Sequence, residues 1–203
     1  MLNSFIVTGA SASGKSTLIN EAKKEYIYLP THMTRKPRKG ERNGIDAIFI
    51  NTKQFIENFN KNEYLEPSLE FALLKNLGQY YGTPKSWLDC LNKSGYCASP
   101  VSITIAKKIV SICPSTCWVH LWCSKEETYK RLLARGIDED EINCRITSGD
   151  SIYIPDSANL VINTSEYSPQ EILEKIKKDV WKIKALNRIL SVLLVVFLKY
   201  IKC

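Results

Sequence analysis

The stretch FIVTGASASGKSTLIN, Phe5 to Asn20, decides how the rest of the chain is read. Phe5, Ile6 and Val7 form a short apolar run that suits a buried strand. Gly9 to Ser16 then fit G-x-x-x-x-G-K-[ST], the pattern of a phosphate-binding loop. Leu18, Ile19 and Ala22 begin an apolar stripe at helical spacing. Strand, glycine-containing loop and helix is the context in which such a loop works. Gly9 and Gly14 let the backbone curl so that successive N–H groups point inward. The following helix adds the positive end of its dipole at the same place. Ser11, Ala12, Ser13 and Gly14, with Lys15, Ser16 and Thr17 at the helix start, are therefore candidate contacts to a nucleoside triphosphate such as ATP. Lys15 can reach the terminal phosphates, and the Ser16 hydroxyl can ligate the Mg²⁺ that bridges them.

The 203-residue chain leaves room for one α/β domain with small insertions. Its charge is +7, from 28 Lys and Arg against 21 Asp and Glu, which suits a polyanionic ligand. Arginines near a phosphate loop make that ligand a nucleotide, and no nucleic-acid-binding motif is present. The seven cysteines form no C-x-x-C pair, and the two histidines, His32 and His120, stand far apart. Free thiols in a reducing compartment are expected, not a zinc site. The first residues have neither a basic nor a long apolar segment, so no secretory signal is expected and the protein reads as cytoplasmic.

A second strand is predicted over Tyr26 to Leu29. The segment Thr31 to Ile50, THMTRKPRKGERNGIDAIFI, places Arg35 and Arg38 in a turn too rich in Gly and Pro to be helical, with a strand leaving it from Ile45 to Ile50. Arginine gives a phosphate a bidentate, permanently charged partner. Asn51 and Gln54 form a capping box for a helix over Thr52 to Asn60. Tyr64 to Lys75 and Tyr80 to Gly82 read as the arms of a hairpin around Gly78. Helices follow from Pro84 to Gly95, from Ser102 to Ile112, and from Ser124 to Arg135, with strands at Cys97 to Val101, Thr116 to Cys123 and Leu160 to Ile162. Arg145 falls on a further helix, and Ser168, Pro169 and Glu171 open the last one. Strands alternating with helices predict an α/β fold with a parallel sheet.

Taken together these residues resemble the guanylate kinase family. TRKPRKGERNGID, Thr34 to Asp46, is similar to that family's monophosphate-binding turn. Tyr80-Tyr81-Gly82-Thr83 is similar to its hairpin end, and Arg131 to Gly136 with Arg145 downstream is similar to its lid. Asn163, after an apolar strand, is similar to the residue bordering the adenine pocket. The resemblance runs from Phe5 to about Ile183. It implies a P-loop three-layer core with a parallel sheet, a small monophosphate-binding insertion over about 31–84 and a helical lid over about 131–150. It also implies phosphoryl transfer from ATP, with Mg²⁺, to a nucleoside monophosphate, with GMP foremost. Thr31, Arg35, Arg38 and Tyr81 would hold the acceptor's phosphate. Thr83 and a glutamate, Glu66 or Glu70, would read the guanine edge. Lys15, Arg131, Arg135 and Arg145 would surround the transferring phosphoryl group.

Two positions depart from the family. Ala47 stands where a tyrosine follows the Asp of the turn, and Ala98-Ser99-Pro100-Val101-Ser102 lacks the aspartate that usually ends that strand. Ribose 1,5-bisphosphate phosphokinases, on the same fold, share both departures. That family's activity and a non-catalytic binding module are the two alternatives. Beyond residue 183 the chain turns basic and then apolar. Ile189 to Ile201 spans only about 20 Å as a helix, against about 30 Å for a bilayer core. A packed helix, a dimer contact or a peripheral anchor on anionic lipid are the readings for 184–203.

Overall fold

The computed structural model describes residues 3–74, 78–147 and 154–178. Five strands form one sheet in the order β2 (Ile27–Pro30), β7 (Tyr96–Ser99), β1 (Phe5–Gly9), β8 (Cys117–Trp122) and β9 (Leu160–Asn163). All pairings are parallel, with β1 in the middle and Gly9 opposite Leu121 of β8. Side chains alternate across β1 and so divide the core in two. Phe5 and Val7 pack with Leu18 and Ile19 of α1 (Lys15–Ala22) and with Ile172 and Leu173 of α8, the helix at 169–178. Ile6 packs on the other face with Trp87 and Leu91 of α4 (Trp87–Leu91) and Ile105 and Ile109 of α5 (Ile103–Ile112). Each such side chain contributes about 1.5–3 kcal/mol on burial. β1 feeds the phosphate loop at its carboxyl end, where the chain goes one way to β2 and β7 and later the other way to β8. That reversal opens the crevice in which α/β sheets bind ligands.

The segment between β2 and α4 builds a second, four-stranded sheet: β4 (Ile48–Phe49), β3 (His32–Met33), β6 (Gln79–Gly82) and β5 (Leu73–Leu74). Its core is Phe55 of α2 (Thr52–Asn60), stacked between Tyr64 at 4.7 Å and Tyr80 at 5.2 Å between ring centroids. The Asn51–Gln54 capping box is present. The first arm of the predicted hairpin is a correction. It holds a short helix, α3 (Leu69–Ala72), and only Leu73 and Leu74 pair with β6. The Ser68 side chain accepts from the Phe71 N–H and starts that helix, and Pro67 before it cannot donate to a strand ladder. The helix expected from Pro84 begins later, at Trp87, because Tyr64 and Pro84 form a β-bridge. The strand expected from Ile45 shrinks to β4, since Gly44 N–H closes a turn onto the Ala47 carbonyl. β2 extends through Pro30, which an edge strand tolerates.

After β8 come α6 (Lys125–Leu133), capped by Ser124, and α7 (Glu139–Thr147). Leu132 and Ile142 bury themselves against Ala12 of the phosphate loop, which seats this helix pair over the crevice. Arg135 lies just past the end of α6, two residues beyond the end of the helix expected to contain it. Among the described residues there is no disulfide, no cluster of three His, Cys, Asp or Glu, and no helix long and apolar enough to cross a membrane. Burial pushes the Cys97 thiol up to about 12, so it is no nucleophile at neutral pH. The readings of 184–203 lie outside the described residues.

Candidate active site

The phosphate loop curls tightly at two glycines. Gly9 has φ +142°, and a Cβ there would stand 2.1 Å from the Leu121 carbonyl oxygen. Gly14, at φ +92°, precedes α1 and approaches Thr164. Lys15 folds over the loop and donates to the Gly9 carbonyl at 2.7 Å and to the Ala10 carbonyl. The Ser13 hydroxyl is fully buried with no hydrogen-bond partner, although polar groups this deep are nearly always satisfied. A phosphate oxygen is a partner of the right kind, so the loop fits a nucleotide. Ser16 sits exposed on the first turn of α1, and its hydroxyl makes no hydrogen bond to another described residue. It is a hard oxygen donor of the sort that Mg²⁺ takes together with phosphate oxygens and water.

The helices over the crevice supply arginines. Arg131 pairs with Glu127 at 2.7 Å and donates to the Ala12 carbonyl at 3.2 Å and the Thr164 hydroxyl at 2.9 Å. Arg131, Arg135, Thr17 and Thr164 line an open cleft of about 180 Å³ beside the loop, floored by Leu18, Tyr167 and Ile172. Asn163 lies next to this cleft, but its side chain is used in the turn after β9, accepting from Ser165 N–H and donating to Glu166. Thr164 takes the place facing the cleft. Arg145 is paired with Glu141 and donates to the Ser11 hydroxyl at 3.1 Å.

Across the crevice lies the arginine turn. Arg35 makes a bidentate pair with Glu41, at 2.6 and 2.8 Å, and its guanidinium packs over Phe49. Burial disfavours its charge, but Glu41 and Tyr81 more than offset this and hold its pKa above the usual value. Arg38 is exposed, and partial desolvation of its guanidinium, then the charge of Arg35 and least that of Arg145, push it below its usual value. Arg145 therefore touches the phosphate loop at Ser11 while its charge acts on Arg38 of the turn. Cations crowded in this way call for an anion between them. Thr31 is buried at the base of the turn, its hydroxyl 3.4 Å from the Pro100 carbonyl.

Behind the turn, both Glu66 oxygens accept from the Thr83 N–H at 2.9 Å. Burial raises the Glu66 pKa, with the Thr83 contacts and the nearby Lys108 opposing that rise. Glu70 is exposed in the first turn of α3. The two carboxylates left open by the sequence thus differ in place: Glu66 stands beside Thr83, and Glu70 faces outward.

The family model described as guanylate kinase matches residues 1–148. The chain belongs to the guanylate kinase family. It is 34% identical over 149 residues to the guanylate kinase of Clostridioides difficile, covering 70% of each chain. It is 30% identical over 179 residues to that of Prochlorococcus marinus, covering 86% of this chain and 94% of the relative. The crystal structure of guanylate kinase from Anaplasma phagocytophilum has the same fold, with a TM-score of 0.62 at 20% identity, covering 89% of this chain and 86% of that one.

Three features of this guanylate kinase family member escape a reading of its sequence. Glu41, the partner of Arg35, is a lone acid in a run of bases, and that contrast was its only signal. Lys23 pairs with Asp46 at 2.6 Å and stacks on Tyr28, whose hydroxyl donates to the Ser99 and Asp46 carbonyls. This strut ties α1 and the core sheet to the turn beside Ala47. Lys108 is the third, with no local pattern to mark it.

The turn's acids give a pH prediction. Arg35 holds the Glu41 carboxyl below its ordinary 4.5, and Lys23 holds that of Asp46 below 3.8. Groups depressed on folding stabilise above the unfolded value, and that stability is lost as pH falls through the folded one. Melting temperature should therefore fall as pH is lowered from about 5 toward 3. Glu41→Gln should lower the pH 7 value by ~2–4 °C, for about 1 kcal/mol, and flatten part of the acid loss. Equal acid slopes for the two proteins would discount the pair.

Proposed function

We propose that the chain is an ATP-dependent guanylate kinase that transfers the γ-phosphoryl group of ATP to a phosphate oxygen of GMP, giving ADP and GDP in the cytoplasm. The observation that carries this reading is Arg145, which reaches from the helix pair over the crevice and donates to the Ser11 hydroxyl of the phosphate loop at 3.1 Å. Its guanidinium would stand at the phosphate loop as the phosphoryl group leaves it. Glu66 supports the guanine acceptor: adjacent N1–H and N2–H₂ donors suit a carboxylate held beside Thr83.

In this reading the loop amides, Ser13 and Lys15 bind the β- and γ-phosphates, and the cleft beside Thr164 and Tyr167 takes the adenine. Arg35, Arg38, Thr31 and Tyr81 fix the acceptor phosphate in line. Arg131, Arg135 and Arg145 neutralise charge as the bond shifts, which is transfer by positioning and electrostatics with no covalent intermediate. Mg²⁺ on Ser16 would draw charge from the bridging phosphate oxygens.

The test is ADP release from Mg·ATP with GMP, dGMP, AMP, UMP, CMP and ribose 1,5-bisphosphate offered in turn, and Lys15→Ala as control. Turnover on GMP and dGMP, lost in the control by about 10³-fold, is the expected result. Turnover on the sugar phosphate alone would overturn it, in line with Ala47 and the carboxylate-free strand end. Folded protein that binds ATP and turns over nothing would make the chain a binding module.

A further inference from the structure

The strand end that carries no carboxylate, Ser99 to Ser102, leads into α5, whose N-cap is Ser102. Two turns along α5, the Lys108 ammonium reaches out of the core and donates to the Leu65 carbonyl at 2.9 Å. Leu65 is the residue before Glu66, and its own N–H donates to the Thr83 carbonyl at 2.9 Å. The backbone ahead of Glu66 is thus held from two sides, by the segment after β6 and by α5. The Glu66 carboxylate is in turn held by the Thr83 N–H.

We propose that Lys108 is a positioning residue for the acceptor base: it clamps the Leu65 carbonyl, sets a positive charge beside Glu66, and so presents that carboxylate in place and ionised. The inference rests on the guanylate kinase reading above. Its chemistry is local. A protonated Glu66 would offer an O–H where guanine already offers N–H groups, so recognition needs the anion. Burial works against the anion, and the groups that face it decide the balance. Thr83 donates to it, and Lys108 from α5 attracts it. Tyr64 from its own segment is itself pushed up to about 12 by burial and so stays neutral, and Glu63 is the other acid whose charge reaches Tyr64. After the Thr83 contacts, Lys108 adds a positive charge that favours the ionised form of Glu66.

The experiment compares the wild-type protein with Lys108→Met and Lys108→Arg. The readouts are KM for GMP, KM for ATP, kcat, and the pH profile of kcat/KM for GMP. K108M should raise the GMP KM about 5- to 10-fold, the scale of one charge-assisted contact at a partly exposed site. Its kcat and ATP KM should stay within about twofold. Its acid limb should move up by about half a pH unit. The acceptor's own phosphate titrates alike in every variant and cancels in the comparison. K108R keeps the charge and should return most of the GMP KM and the limb. An unchanged GMP KM and limb in K108M would overturn the proposal, as would an equal loss in K108R, or a loss shared by ATP and GMP. A wild-type protein that neither binds nor phosphorylates GMP would overturn the parent reading first, before any variant is compared.

Discussion

Gly9→Ala should give a protein that no longer binds Mg·ATP and melts at least 8 °C below wild type. The Cβ would lie 2.1 Å from the Leu121 carbonyl oxygen, 2.7 Å from the Ser13 hydroxyl, and at a φ of +142°. The Ser13 hydroxyl ends a short, fully buried side chain, and the closer contact, the Leu121 carbonyl oxygen, is backbone. Leu121 sits in β8, paired to β1 on one side and β9 on the other, so its carbonyl moves only if the sheet moves. Relieving the overlap costs about 4 kcal/mol from backbone strain and overpacking, and for a chain of this size that is ~8–16 °C. Gly14→Ala makes the useful contrast. Its Cβ would meet the Thr164 methyl at 3.4 Å, an ordinary contact, so only the φ of +92° opposes it, at about 1–2 kcal/mol. Thermal melts with and without Mg·ATP decide the matter. A Gly9→Ala protein that keeps both its melting point and its nucleotide shift would show that the loop yields where its geometry says it cannot.

The same loop shows why much of the fold was legible in the sequence. Its constraint is local: eight consecutive residues specify a backbone shape, and the strand and helix around it announce themselves by period. The caps were legible for the same reason. Asn51 with Gln54, Ser124 with Glu127 and Ser168 with Glu171 each satisfy N–H groups within one turn. The segment after Tyr64 was misread because its apolar residues fit a strand as well as a helix, and Ser68 with Pro67 tipped it to helix. The site residues divide in the same way. Lys15, Arg35 and Arg145 stand out as candidates because motif spacing marks them. Lys108 does not, because its partner is 43 positions away and joins a core helix to the insertion through a backbone carbonyl. Tyr28 does not, because its partners Asp46 and Ser99 meet it only once the sheet has formed. The different placement of Glu66 and Glu70 is a matter of tertiary contact too, since four residues apart in an irregular segment can mean opposite sides.

Glu66→Gln should then cost the largest part of acceptor selectivity. Both carboxylate oxygens now take the Thr83 N–H, which leaves their outer lone pairs to face a base. The amide would keep one oxygen for Thr83 and turn an NH₂ group toward guanine's N1–H and N2–H₂, donor against donor. Two charge-assisted bonds at about 1.5–3 kcal/mol each set a loss in kcat/KM for GMP of about 10²–10⁴-fold. AMP should lose far less, because an amide can pair with adenine's donor and acceptor together, so the GMP-to-AMP ratio collapses. The pH profile carries a second signature. Burial raises the Glu66 pKa, so wild-type activity on GMP should fall on the acid side as the carboxyl protonates, and Glu66→Gln should lack that limb beyond what the acceptor phosphate imposes. Kinetics on GMP and AMP from pH 5 to 8 measure both. Glu70→Gln is the companion variant. Exposed on α3, Glu70 should leave GMP turnover unchanged. If the loss appears in Glu70→Gln instead, the base is read from the other side of this segment, and Lys108 clamps a stretch that recognition does not use.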